Sequence, residues 1–173
     1  MQLYQTVFEL IDLRSFSNLW FWIALAVMWS SASHRVLGVP FDLITRARRQ
    51  GGEAEQDVID MLRANRHRML YISRVAGLWL TGFGFGLMAA LVMLGFYYWI
   101  EFAQALFLLA APMTVVGLLN LSAMRRLERD GAEGPALYRR LIRHRLKVQG
   151  IGMVSIFVTA MWGMWQNFNI GAL

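Results

Sequence analysis

Long apolar runs without charge alternate along this chain with short segments crowded with arginine. A helix needs roughly 20 apolar residues to cross a hydrocarbon core of about 30 Å, and four stretches approach or meet that length. The first occupies residues 17–34. Arg35 can lift its guanidinium toward water while residues 36–39 prolong the apolar length, so the span is predicted at about 17–38. Residues 75–124 then form a block of 50 with a single charge, Glu101. Two helices at 75–97 and 102–124, joined by a tight turn at 97–102, account for it. The fourth run covers 148–168. None of these runs shows the period of two that a membrane barrel strand requires. The expected fold is all-α: one polytopic membrane domain over 1–173, with four transmembrane helices as two hairpins. Basic segments at 39–74 and 125–147 carry short helical extensions.

The polar segments have a pattern of their own. An amphipathic stretch starts at Pro40-Phe41-Asp42 and ends near Gly51-Gly52. Beyond it, Glu53, Glu55, Asp57 and Asp60 come early and Arg63, Arg66 and Arg68 late. That order suits both ends of a helix dipole and predicts a helix that runs straight into the second span. The other basic segment breaks at Gly131-Ala132-Glu133-Gly134-Pro135 and resumes as a helix from Ala136. Ahead of the first run, Leu3, Tyr4, Val7, Phe8 and Ile11 recur at helical spacing, which predicts an interfacial helix. Glu9, Asp12 and Arg14 precede the apolar run there, and a basic n-region is missing, so a secretion signal is not expected.

Charge orients this arrangement. The segment from Arg35 to Arg74 holds eight basic residues and that from Arg125 to Lys147 another eight, 16 of the 17 in the chain. With four spans both segments fall on one side, and the positive-inside rule makes that side the cytoplasm. The expectation is a multi-pass protein of the bacterial inner membrane with both termini periplasmic. Phe16, Trp20, Phe21, Trp22, Tyr97, Tyr98, Trp99, Trp162 and Trp165 fall near the opposite interface, where amphipathic rings favour the headgroup level. The net charge of +6 therefore reads as an orientation device, not as a nucleic-acid surface, and no nucleic-acid-binding module accompanies it. Arg35, Arg66, Arg68, Arg74, Arg125, Arg126, Arg143, Arg145 and Lys147 are placed to meet anionic lipid of the cytoplasmic leaflet. Each such residue near the surface is worth on the order of 1 kcal/mol.

Candidate chemistry is sparse. With no cysteine, disulfides, thiolate metal sites and cysteine-ligated iron–sulfur clusters are excluded. His34, His67 and His144 lie at the basic boundaries, where a haem between helices would need two imidazoles at one depth; no cofactor is expected. The spans contain Ser30, Ser31, Thr81, Gln104, Thr114, Asn120, Ser155 and Thr159 but no ionisable group near the centre, against the habit of ion-coupled pumps. Arg46-Ala47-Arg48-Arg49-Gln50-Gly51-Gly52, followed by Asp57 and Asp60, distantly resembles CDP-alcohol phosphotransferases but lacks their earlier acidic pair, and no nucleophile–base motif is present. Small residues do recur at packing spacing: Gly82 and Gly86 form a GxxxG step, and Ser155, Thr159 and Gly163 form a ladder. Both are candidate helix-packing or partner faces. A possible duplication pairs Arg63-x-x-Arg66-His67-Arg68 with Arg140-x-x-Arg143-His144-Arg145 at an offset of 77 residues, and Ser31-Ala32-x-x-Arg35 with Ser122-Ala123-x-x-Arg126 at 91.

The runs Arg14-Ser15-Phe16-Ser17-Asn18-Leu19-Trp20-Phe21-Trp22, Gly38-Val39-Pro40-Phe41-Asp42 and Ile151-Gly152-Met153-Val154-Ser155-Ile156-Phe157-Val158-Thr159-Ala160 carry a resemblance. Through them the chain resembles, over most of its length, a family of small alphaproteobacterial membrane proteins often labelled as a component of the SufBCD complex. The resemblance implies a link to iron–sulfur cluster assembly and carries no functional residues. Taken together, the expectation is a non-enzymatic accessory or scaffold protein that associates with a protein partner or with itself. The alternatives are a small oligomeric transporter or channel lined by Gln104, Thr114, Asn120 or Ser155, and a haem-bearing electron carrier.

Overall fold

The computed structural model describes residues 15–131 and 134–170, so the expected helix over Leu3 to Ile11 lies outside the described residues. The described chain is almost wholly helical. A 3₁₀ turn at Ser15–Ser17 leads into α1 (Leu19–His34), and a two-strand hairpin follows, β1 (Arg35–Val36) and β2 (Val39–Pro40). Then come α2 (Phe41–Gln50), α3 (Gly52–Val75), α4 (Gly77–Val92), α5 (Glu101–Asp130) and α6 (Gly134–Ile170).

Three helical segments among the described residues are long and apolar enough to cross a membrane: Gly77–Tyr97, Glu101–Asp130 and Gly134–Phe168. The remaining apolar helix, α1, has 16 residues and so spans only about 24 Å. Its apolar run does not extend to residue 38 as a helix. It leaves the helix at Arg35 and folds back, pairing Arg35 with Pro40 and Val36 with Val39. Val36, Leu37 and Val39 are buried, so the length expected to prolong a span packs instead into the core of the basic end.

The hairpin turn requires positive φ at both central residues, Leu37 at +54° and Gly38 at +84°, as a type I′ connection does. Glycine adopts this freely and leucine at a cost. A Cβ at Gly38 would also lie 2.5 Å from Asn65 Nδ2. Gly38→Ala is therefore expected to lower stability by about 2–3 kcal/mol, from backbone strain and the clash together. Thermal unfolding in mild detergent reads the loss, and adding Asn65→Ala should recover the clash and leave the strain.

The basic end of the molecule has its own apolar core. Ile44 and Ala47 of α2, Ala54, Val58 and Leu62 of α3, Met124 and Leu127 of α5, and Leu137 and Leu141 of α6 close over the hairpin. The i, i+4 spacing of Ala54, Val58 and Leu62 puts one stripe of α3 inward, while Arg46, Arg48 and Arg49 of α2 remain exposed. Acidic Glu53 and Glu55 open α3 and Arg74 closes it, as the dipole favours. α3 does not run unbroken into the next apolar segment. Ala76 departs from helical geometry, although Ala76 N–H still donates to Ile72 O at 2.9 Å and Leu80 N–H to Ala76 O at 2.8 Å. The joint is thus a one-residue kink.

α6 is the spine. Leu137, Leu141, His144, Val148, Gly152, Thr159, Gly163 and Gln166 are all buried at steps of three, four or seven, one face of a single helix of 37 residues. α1 lies along the upper part of that face. Leu25 and Trp29 pack with Val116 and Val148, and a Cβ at Gly152 would sit 2.8 Å from Trp29 Cε3.

Candidate functional site

Two places concentrate polar chemistry. At the end remote from the basic lobe, the last turn of the α4 segment widens to a π-helix over Met93–Tyr97, with Tyr98 N–H reaching Met93 O at 3.1 Å. A π turn offsets carbonyls from the regular ladder, and Gly95 O is taken up by Gln104 Nε2 at 2.7 Å. The approach is close: a Cβ on Gly95 would lie 3.0 Å from Gln104 N. Gln104 is fully buried, and its Oε1 accepts from Trp162 Nε1 at 3.0 Å and from Gln166 Nε2. One amide therefore joins α4, α5 and α6. Beside it, Glu101 Oε1 accepts from Phe16 N–H at 2.8 Å, and Ser17 Oγ donates to Asn167 Oδ1 at 2.8 Å. These bonds tie the entrance of α1 to the same end of the bundle.

The second place lies in the basic lobe, where two clefts flank the tip of the hairpin. The larger, about 340 Å³, opens between α5 and α6, with Arg126 and Asp130 on one side and Arg140, Arg143 and Lys147 on the other. The smaller, about 280 Å³, lies toward α3, with Asn65, Arg68 and Asn120 in its wall. Leu37 contributes to both. His144 is buried and its Nε2 lies 2.7 Å from Asn120 Oδ1. Arg140 Nη1 bonds Asp130 Oδ2 at 2.7 Å. Arg145 lies 3.5 Å from the Phe41 ring centroid, a cation–π contact that holds α2 to α6.

His144 precedes the apolar stretch of α6 that starts at Val148. Burial, and after it the neighbouring Lys147, pushes its imidazole below the ordinary histidine value. The folded chain thus holds this ring neutral longer than the unfolded chain does. The stability it supports is present above the ordinary value and is lost as pH falls from there through the depressed folded value. Melting temperature should therefore drop on acidification below neutrality, and His144→Gln should flatten that dependence.

The other expected residues are spread out. Gly82 and Gly86 have no atom within 4 Å of a built Cβ, so this glycine face of α4 is open. Gly163 faces Phe16, Thr159 is fully buried, and the Ser155 hydroxyl is enclosed without a partner. Among the basic residues, Arg74 pairs with Glu128 at 3.4 Å and Arg125 donates to Ser73 Oγ at 3.0 Å. Arg35 is exposed, Arg66 half-buried, and Arg68, Arg126, Arg143 and Lys147 are exposed at the cleft walls. His34 and His67 are exposed while His144 is buried, so the two Arg-His-Arg steps are not equivalent in their surroundings. Of the polar residues proposed for a channel, Gln104 and Asn120 are engaged as above and Thr114 bonds back to Ala111 O at 2.6 Å. Sequence reasoning did not single out Asp130 or the Leu37 tip, and it met Arg140 only as part of the repeated Arg-x-x-Arg-His-Arg step.

No family model matches this chain, and neither a curated protein nor a solved structure does.

Proposed function

We propose that this chain is a non-enzymatic accessory or scaffold protein of the bacterial inner membrane. In this reading it crosses four times, with the basic lobe in the cytoplasm and both termini in the periplasm. The charge distribution supports that orientation. The fourth crossing is supported by the ends of α1, short as it is. Its entrance is bonded to Glu101 and Asn167, and its exit strand is buried with Met124 and Leu141. α1 therefore covers the same height as the apolar stretches of α5 and α6, and modest local thinning of the bilayer accommodates its length.

The observation that carries the scaffold role is the folded basic lobe. There the chain builds a closed apolar core from α2, α3 and the ends of α5 and α6, a folded surface on which a partner can dock. The open Gly82–Gly86 face of α4 offers a second contact surface within the bilayer, for a partner helix or a second copy. The resemblance to proteins labelled with the SufBCD complex makes the iron–sulfur assembly machinery the first partner to test. Purification in mild detergent from native membranes, after brief cross-linking, should recover the chain in a stoichiometric assembly. Gly82→Leu with Gly86→Leu should weaken it. A chain that runs alone under all these conditions overturns the proposal.

A further inference from the structure

The cleft between α5 and α6 joins two kinds of surface. Leu119 and Arg126 are seven residues apart on α5, two turns of one face, so the cleft runs from the apolar stretch of that helix into its polar end. Its floor is apolar, with Leu37 and Leu141 buried there. Its rim is cationic. Arg140, Arg143 and Lys147 follow one another at i, i+3 and i+7 along α6, facing Arg126 across the gap. Asp130 is the one carboxylate in the wall, and Arg140 already holds it at 2.7 Å. Among the described residues, Arg126, Arg143 and Lys147 make no ion pair. The neutral His144 adds no charge. Arg143 and Lys147 lie one turn apart on α6, where like charges repel by a few tenths of a kcal/mol, and an anion seated between them and Arg126 relieves that repulsion.

The shape narrows the choice of anion. Guanidinium groups match phosphate oxygens in a bidentate fork, with a lysine as a point charge beside them. A free phosphate would use the rim alone. A phospholipid would use the rim for its phosphodiester and the Leu119 side for the start of its acyl chains. We propose that this cleft is a discrete site for one phosphoryl group, supplied by the headgroup of an anionic phospholipid. It is thereby distinct from the diffuse attraction of the whole basic lobe to a charged leaflet. The site does not depend on the scaffold role, since lipid retention is read on the chain by itself.

The test is native mass spectrometry of the purified chain released from phosphatidylglycerol nanodiscs, with phosphatidylcholine nanodiscs as reference. One phosphatidylglycerol should be retained, and no phosphatidylcholine. Arg126→Gln with Arg143→Gln and Lys147→Gln should cut retention at least tenfold. Removing three charges elsewhere, by Arg48→Gln, Arg63→Gln and Arg129→Gln, should leave it unchanged. Ser122→Trp fills the cleft without removing any charge and should also expel the lipid, which keeps the test open if the triple variant does not fold. Equal loss from both triple variants, or retention that survives Ser122→Trp, overturns the proposal. Thermal protection by inorganic phosphate, with no lipid retained, overturns the lipid assignment.

Discussion

Replacing Gln104 with leucine is expected to cost about 2–4 kcal/mol and to loosen the end of the bundle where α4, α5 and α6 meet. Leucine fits the volume, but it strands three polar groups together: Gly95 C=O, Trp162 N–H and the Gln166 amide. Gly95 is buried and Trp162 partly so, and a polar group left unpaired in such surroundings is expensive. The partial compensation is that Gln166, at the margin of the buried region, can turn toward water. Gln104→Glu separates the two halves of the interaction. Its carboxylate still accepts from Trp162 and Gln166 but, when ionised, cannot donate to Gly95. Tryptophan fluorescence reports the change locally, because Trp162 packs 5.0 Å from Trp165 and 5.5 Å from Phe96, centroid to centroid. A leucine variant with unchanged melting and an unchanged emission spectrum would show that the amide is not a structural hub.

Enlarging Gly152 is expected to have a comparable effect through a different mechanism. α1 and α6 approach so closely that even a methyl group would meet the Trp29 ring at 2.8 Å. Trp29 is itself almost fully buried, so it has nowhere to retreat without opening the helix pair. Gly152→Val should therefore cost about 2–3 kcal/mol by overpacking. In the Gly152→Ala background, Trp29→Phe should restore part of the loss, a coupling that a double-mutant cycle in detergent measures directly. Gly82→Ala makes the contrast. With nothing near its Cβ, the isolated chain should gain up to about 1 kcal/mol of helix propensity.

These positions show what was legible beforehand. The apolar runs announced α4, α5 and α6, because a helix in lipid must satisfy its backbone internally and so declares itself by length alone. Glu101 and the aromatic cluster located the turn between α4 and α5. The hairpin was hidden because Val36, Leu37 and Val39 read as lipid-facing residues. Hydrophobicity does not distinguish a side chain bound for lipid from one bound for a protein core. The Gln104 hub was visible only as an isolated polar residue in a span. Its partners lie 9, 58 and 62 residues away, and no periodicity reports contacts at such separations. The cleft between α5 and α6 was half visible. The spacing of Arg140, Arg143 and Lys147 puts them on one face, but the opposing Arg126 and the Leu37 floor depend on how three elements meet.

The unbroken course of α6 makes its apolar stretch, a candidate membrane span, and its basic-lobe portion parts of one rod. Its lobe portion, residues 134–147, extends about 20 Å beyond the apolar stretch. A change of about 10° in tilt, of the kind a thicker or thinner bilayer imposes, swings the far end by about 4 Å. Because the lobe core clamps α2, α3 and the end of α5 to that rod, the movement carries the whole platform and not one loop. In the proposed membrane orientation, bilayer thickness would thereby set the lateral position of a folded surface.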